Sequence, residues 1–360
     1  MSYHAKQSIT PARKMLAFVF LFVAPVFPFA LPPHDVNLQD LTIARSNRAQ
    51  RVPLQPSISP LSTDFDDSPL PVIVWHGLGD ASNADGLADT GDIINEVHPG
   101  TYVHFISANG ESDDRSASFF GNVTEQIDLV CETLAKDPIL STALAVDAIG
   151  FSQGGQFLRG YVERCGSWAP KVRSLVTFGS QHNGIVEFQK CKGATDFVCH
   201  AANALLKSST VWSDYVQSHL VPAQYYRDLN DYENYLAHSN FLADINNERN
   251  HKNETYKENL AQLEKFVMIL FEDDNTVIPK ESGWFAEVNA TSGHVTLLKN
   301  RPIYQENWIG LKDLDEKGGL VFETVRGEHM QLKEKDLKRI FRKYLGPLRK
   351  DARDGLKVDL

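Results

Sequence analysis

Basic residues are the minority charge in this chain: 36 Lys and Arg stand against 46 Asp and Glu, a formal net charge of −10 over 360 residues. A nucleic-acid partner needs a clustered basic face, and this balance argues against one. Cysteine is scarce. The four present, Cys131, Cys165, Cys191 and Cys199, are spaced unlike any zinc-finger pattern. No His-x-x-x-His pair or Glu-bearing ligand helix occurs either, so no metal site is expected. Long hydrophobic runs are also missing. The one candidate, Met15 to Ala24, meets Pro25 and Pro28 well before the roughly 20 residues that a spanning helix requires.

Lys6, Arg13 and Lys14 precede that apolar run, so residues 1–30 read as a secretory signal cleaved after Ala24 or near Ala30, the alternative being an uncleaved anchor. Two features agree with that route. Asn122-Val123-Thr124, Asn253-Glu254-Thr255 and Asn289-Ala290-Thr291 are acceptor tripeptides for N-glycosylation. An even number of cysteines in an oxidising compartment implies two disulfides, with Cys191 and Cys199 closing a local loop and Cys131 left to Cys165. The expected destination is the lysosome or a vacuole, or secretion. Residues 31–68, rich in proline, serine and mixed charge without sustained periodicity, read as a disordered linker.

From residue 69 to about 347 the pattern is that of one α/β domain, with a tail at 348–360. Strands are expected at 70–75, 102–107, 144–149, 174–180, 266–271 and 320–325, interleaved with helices at 122–134, after 152, and around 337–345. Alternation of this kind implies a mostly parallel sheet with helices on both faces and ligands gathered at the strands' carboxyl ends. Residues 185–264 break the alternation with helical pieces and read as a lid-like insertion. Its Val211, Trp212, Tyr215, Val216, Leu220, Val221, Tyr225 and Tyr226 could line an apolar groove or pack the insertion onto the sheet.

The most informative stretch is Gly150-Phe151-Ser152-Gln153-Gly154-Gly155, between an apolar strand and a helix. Gly-x-Ser-x-Gly in that context is a nucleophile elbow, the mark of an α/β-hydrolase fold. That fold places its nucleophile first, its acid later and its histidine last. Ser152, then Asp273 or Asp274, then His329 meets the order, each just past a predicted strand end, with Asp315 a remote third acid. His76 and His182 also follow strands but stand in the wrong place in that order. A serine hydroxyl becomes nucleophilic when a neutral histidine takes its proton, and the aspartate fixes the histidine's tautomer. The resulting oxyanion needs donors, expected from the backbone N–H groups of Gln153 and of Leu78 in His76-Gly77-Leu78-Gly79.

His76-Gly77-Leu78-Gly79-Asp80, the elbow extended to Arg159, Phe241-Leu242-Ala243-Asp244-Ile245-Asn246 and Gly327-Glu328-His329 together resemble the palmitoyl-protein thioesterase family, over about Leu70 to Leu345. The resemblance implies an α/β hydrolase that removes long-chain acyl groups from cysteine thioesters of proteins without a cofactor. Its substrates would be S-acylated proteins or peptides, with transient lipid contact. It further implies a triad of Ser152, Asp274 and His329, the acid chosen by matching Phe271 and Pro279, and the pairings Cys131–Cys165 and Cys191–Cys199. Two other readings share these residues: an esterase or lipase acting on oxygen esters, and a silent lipid-binding protein on the same fold.

Overall fold

The computed structural model describes residues 68–108, 113–188 and 197–348, with the backbone alone for 197–199. The leader, the linker up to residue 67, the tail from 349 and the Cys191–Cys199 pairing lie outside the described residues.

Six strands, β1 (Val72–Trp75), β2 (Val103–Phe105), β3 (Val146–Phe151), β4 (Val172–Phe178), β5 (Lys265–Phe271) and β6 (Leu320–Val325), form one sheet. Their order is β2-β1-β3-β4-β5-β6 and every pairing is parallel. Parallel strands require crossovers that cover both faces, so their sequences are apolar almost throughout rather than alternating. The side chains still alternate in space. Ile73, Trp75, Ala148, Leu175, Phe266 and Met268 point into a core shared with α2 (Val123–Lys136) and α3 (Gln153–Cys165). Val72, Val74, Ile149, Val176, Val267 and Ile269 point the other way, against α1 (Asp85–Val97) and the last helix, α4 (Glu334–Tyr344).

A local signal accounts for the start of α2. Asn122 caps α2, its Oδ1 accepting from the N–H groups of Thr124 at 3.0 Å and Glu125 at 3.4 Å. A disulfide joins Cys131 of α2 to Cys165 of α3, with Cα atoms 6.1 Å apart. Several strand limits differ from expectation: β1 is Val72–Trp75 rather than 70–75, and β4 is Val172–Phe178 rather than 174–180. β2 is shorter than 102–107, and β3 lies two residues later than 144–149, because Phe151 pairs in register with Phe178 while Leu144 is exposed.

Sheet order also positions the site. The chain runs from β1 outward to β2, then returns across β1 to place β3 on its other side, so crossovers leave in opposite directions at the β1/β3 boundary. Such a boundary opens a crevice at the strands' carboxyl ends. Between β4 and β5 the chain forms short helices, among them Asp214–His219, Tyr232–His238 and Glu254–Ala261. Of the two roles open to the eight aromatic and aliphatic residues there, groove lining or packing, most take the second. Val211, Trp212, Val216, Val221 and Tyr226 are buried in the core, Leu220 packs against it, and Tyr215 is exposed and stacked on His219. Tyr225 alone of the eight faces the crevice.

Candidate active site

Ser152 follows β3 directly and stands at the entry to α3 with φ 52° and ψ −125°, a backbone conformation that a non-glycine residue rarely adopts. The neighbouring glycines make the turn sterically feasible. A Cβ on Gly150 would overlap the backbone of Gly155, and one on Gly154 would overlap the carbonyl oxygens of Trp75 and His76. The Ser152 N–H donates to the Phe178 carbonyl at 2.8 Å, fastening the strained residue to the neighbouring strand.

His329 and Asp274 meet because β5 and β6 pair in register, Phe271 opposite Val325, so the loops leaving them run side by side. The Asp273 N–H donates across that gap to the Gly327 carbonyl at 3.0 Å. Asp274 turns its carboxylate inward. Its Oδ1 accepts from the N–H groups of Thr276 at 2.9 Å and Val277 at 3.0 Å, while Oδ2 lies 2.7 Å from His329 Nδ1. An ionised carboxylate only accepts, so Nδ1 carries the proton and Nε2 is left to accept from the Ser152 hydroxyl, 3.0 Å away. To reach Ser152 the imidazole must pass over the end of β4. Gly179 stands there with φ 56°, and a Cβ on it would sit 3.0 Å from His329 Cε1. Asp273 points its side chain to solvent, and Asp315 binds Tyr304 and Lys299 elsewhere.

The N–H groups of Leu78 and Gln153 donate to no acceptor among the described residues. Both belong to segments that border the serine: Gly77 packs so closely that a Cβ on it would lie 3.2 Å from Ser152 Cβ, and Gln153 is the first residue of α3. A cavity of about 570 Å³ opens in front of them, lined by Ser152 and His329 and by apolar side chains including Leu87, Phe119, Phe151, Ile185, Val277 and Leu332. That volume lies in the ~300–1,000 Å³ range of small-molecule sites. A serine, a base oriented by an acid, two free donors and an apolar chamber suit acyl transfer on a hydrophobic acyl group.

Comparison with known proteins gives the same direction. The sequence profile described as palmitoyl protein thioesterase matches residues 71–329. The chain belongs to the palmitoyl-protein thioesterase family. It is 37% identical to palmitoyl-protein thioesterase 1 of Caenorhabditis elegans over 73% of this chain and 87% of that protein. With palmitoyl-protein thioesterase 3 of Dictyostelium discoideum the identity is 33%, covering 72% and 84%. With the lysosomal thioesterase PPT2 of Rattus norvegicus it is 30%, covering 70% and 78%.

The more distant motif residues of this family member also acquire a physical role. Arg159 is fully buried on α3 and donates to Glu163 Oε1 at 2.9 Å, to the Ile245 carbonyl at 3.1 Å, to the His182 carbonyl at 3.2 Å and to Asn246 Oδ1 at 2.8 Å. It thereby ties the elbow helix to the 241–246 segment. His182, buried and stacked on Phe285 at 5.2 Å, has its basicity pushed well down by burial and then by the nearby Arg159 charge, so it stays neutral. His76 turns from the cavity toward Asp114, 4.0 Å away. Asp114 itself is a residue that sequence reasoning did not single out. It accepts from Ser82 N–H and hydroxyl, from the Ser107 hydroxyl at 2.8 Å and from the Ala108 N–H at 3.1 Å. Burial alone would raise its carboxyl, yet the hydrogen bonds from Ser82 and Ser107 hold it below the usual range. Nothing periodic marks residues 113–121 in the sequence, so only the fold shows that they border the site.

Proposed function

We propose that this chain hydrolyses long-chain acyl thioesters on protein cysteines, palmitate foremost, through an acyl-enzyme on Ser152. The observation that carries this reading is the hydrogen-bonded line Ser152–His329–Asp274 opening into an apolar cavity. His329 Nε2 takes the proton as Ser152 Oγ attacks the thioester carbonyl, and Asp274 stabilises the imidazolium that forms. The N–H groups of Leu78 and Gln153 receive the oxyanion. Collapse expels the cysteine sulfur, which leaves with the proton from His329. Water then attacks the acyl-serine, giving its proton to His329, and fatty acid and free serine are released. The residues present complete this cycle without a metal or cofactor.

Membership of the family and the names of the relatives support thioesters over oxygen esters; the triad is common to both chemistries. The catalytic domain would span 69–347, with 185–264 as the insertion that roofs the cavity through Ile185, Phe188 and Tyr225. The Cys131–Cys165 disulfide and a rat relative named as lysosomal support a secretory or lysosomal destination, with residues 1–30 as the signal. Asn253 and Asn289 are exposed and suited to carry glycans, whereas Asn122 is half-buried; Asn122 and Asn253 both cap a helix.

The test is side-by-side hydrolysis of a palmitoyl-cysteine peptide and its palmitoyl-serine counterpart, with Ser152→Ala as control. We expect thioester turnover that the substitution removes by at least about 10⁴-fold. Preference for the serine ester would make the enzyme a lipase-like esterase, and turnover of neither would leave a binding protein.

A further inference from the structure

Two free backbone N–H groups can hold an oxyanion only if the segments that carry them keep a fixed separation, and here those segments, the loop after β1 and the start of α3, are far apart in sequence. One residue spans them, through its hydroxyl on one side and its main-chain carbonyl on the other. Ser118, buried between the two, accepts a hydrogen bond on Oγ from the Gly79 N–H at 2.8 Å, one residue beyond Leu78. Its carbonyl oxygen accepts from Gln153 Nε2 at 3.0 Å. Its own hydroxyl proton goes to the Arg115 carbonyl at 2.7 Å, which fixes the direction of the lone pairs facing Gly79.

The bridge is itself anchored at both ends. On the far side of the short helix Asp114–Ala117, the Asp114 carboxylate is held by Ser82 and by the loop after β2, and Gln126 Nε2 donates to the Ala117 carbonyl at 2.9 Å. On the near side, Gln153 Oε1 accepts from the Tyr225 hydroxyl at 3.0 Å, so the insertion braces the same glutamine. Each of these bonds is buried or partly buried, where a lost partner leaves an amide unsatisfied.

We propose that Ser118 is a positioning residue for the reaction, setting the distance between the Leu78 and Gln153 amides so that both reach the developing oxyanion. The inference rests on the reading of Ser152 as nucleophile. Ser118 touches neither the substrate nor the reacting atoms; it acts through Gly79 on one side and Gln153 on the other. Removing its hydroxyl frees the Gly79 N–H and lets the Leu78 loop drift. A displaced donor is a weaker one in the transition state and changes little in the ground state.

The experiment uses the full chain carrying Ser118→Ala, and Gln153→Leu as a second variant that cuts the bridge from the other end. Three quantities are measured: kcat and KM on a palmitoyl-cysteine peptide, the affinity of a long-chain alkyl boronate that becomes tetrahedral on Ser152, and the affinity of an S-hexadecyl-cysteine peptide, a thioether with no carbonyl. We expect kcat and boronate affinity to fall together by roughly ten- to a hundredfold in both variants, with KM and thioether affinity within about twofold of the parent. Equal losses of boronate and thioether, or no loss of either, would overturn the positioning role. If Ser118→Ala does not fold, the same split in Gln153→Leu decides. Failure of the underlying reading has a different signature: the parent enzyme itself would show neither turnover nor boronate binding.

Discussion

At the residue scale the choice between Asp273 and Asp274 is the clearest case of geometry deciding what adjacency hides. The two differ by one position, yet one carboxylate receives two backbone amides and the imidazole while the other faces water. If Asp274 sets the tautomer of His329, Asp274→Asn should lower kcat by about 10⁴-fold with KM little changed, because the amide would orient the wrong ring nitrogen toward Ser152. Asp273→Asn should stay within about twofold of the parent, as expected for an exposed surface change. Steady-state kinetics on the palmitoyl-cysteine peptide checks both. Comparable losses in the two variants would mean that the acid has been assigned to the wrong residue.

At the scale of the element, the elbow and the helix it opens are held by exclusion of volume and by a cross-link. Gly154 lies against the carbonyls that end β1, so Gly154→Ala must push α3 away from the sheet. Overpacking of this kind costs about 1–3 kcal/mol, and here the obstacle is backbone, which puts the expectation at the upper end. A urea midpoint should show it. The Cys131–Cys165 disulfide closes a loop of sequence separation 34 between the two helices that flank the elbow strand. By chain entropy, replacing both cysteines with alanine should cost about 4 kcal/mol. Denaturation of the double variant against the oxidised parent measures that value, and a loss under about 1 kcal/mol would show that the unfolded chain is already restricted.

For the molecule as a whole, the main pH-dependent liability is the buried pair on α3. Burial pushes Glu163 up to about 8 against the attraction of Arg159, and its Oε2 has no hydrogen-bond partner among the described residues. The folded state therefore holds this proton more tightly than the unfolded chain, whose glutamate titrates near 4.5. A raised pKa of this sign contributes stability that is complete below about 4.5 and is lost as the pH rises through about 8. Melting temperature should therefore decline from pH 5 to pH 9. In Glu163→Gln the profile should start near the parent's at pH 5, where Glu163 is itself protonated and neutral in the folded state, and run flatter across that window. An equally steep decline in the variant would place the liability elsewhere. A stability profile that favours acid agrees with the lysosomal destination proposed above.

How much was legible in the chain depends on whether the signal is local. Strand and helix content, the order of the catalytic candidates and the strained turn could all be read, because hydrophobic runs, a Gly-x-Ser-x-Gly pentapeptide and strand-end positions are properties of a few consecutive residues. The shift of β3 by two residues could not, since a strand's limits are settled by the partner it pairs with, here Phe178. Whether Trp212 or Tyr226 lines a groove or packs the insertion stayed open for the same reason: an aromatic side chain can bury itself against a core or a cavity equally well, and composition does not say which surface it will meet. Asp114, Ser118 and Tyr225 carry no motif at all. Their importance comes from hydrogen bonds across separations of 32 to 72 residues, from Ser82 to Asp114, Gly79 to Ser118 and Tyr225 to Gln153. Contacts of that range exist only after the parallel sheet has brought the loops to one edge. The residue types needed for acyl transfer were therefore written in the linear chain, where the family resemblance also pointed to Asp274, while the contacts of that carboxylate, the shape of the chamber and the bracing of its donors came from packing.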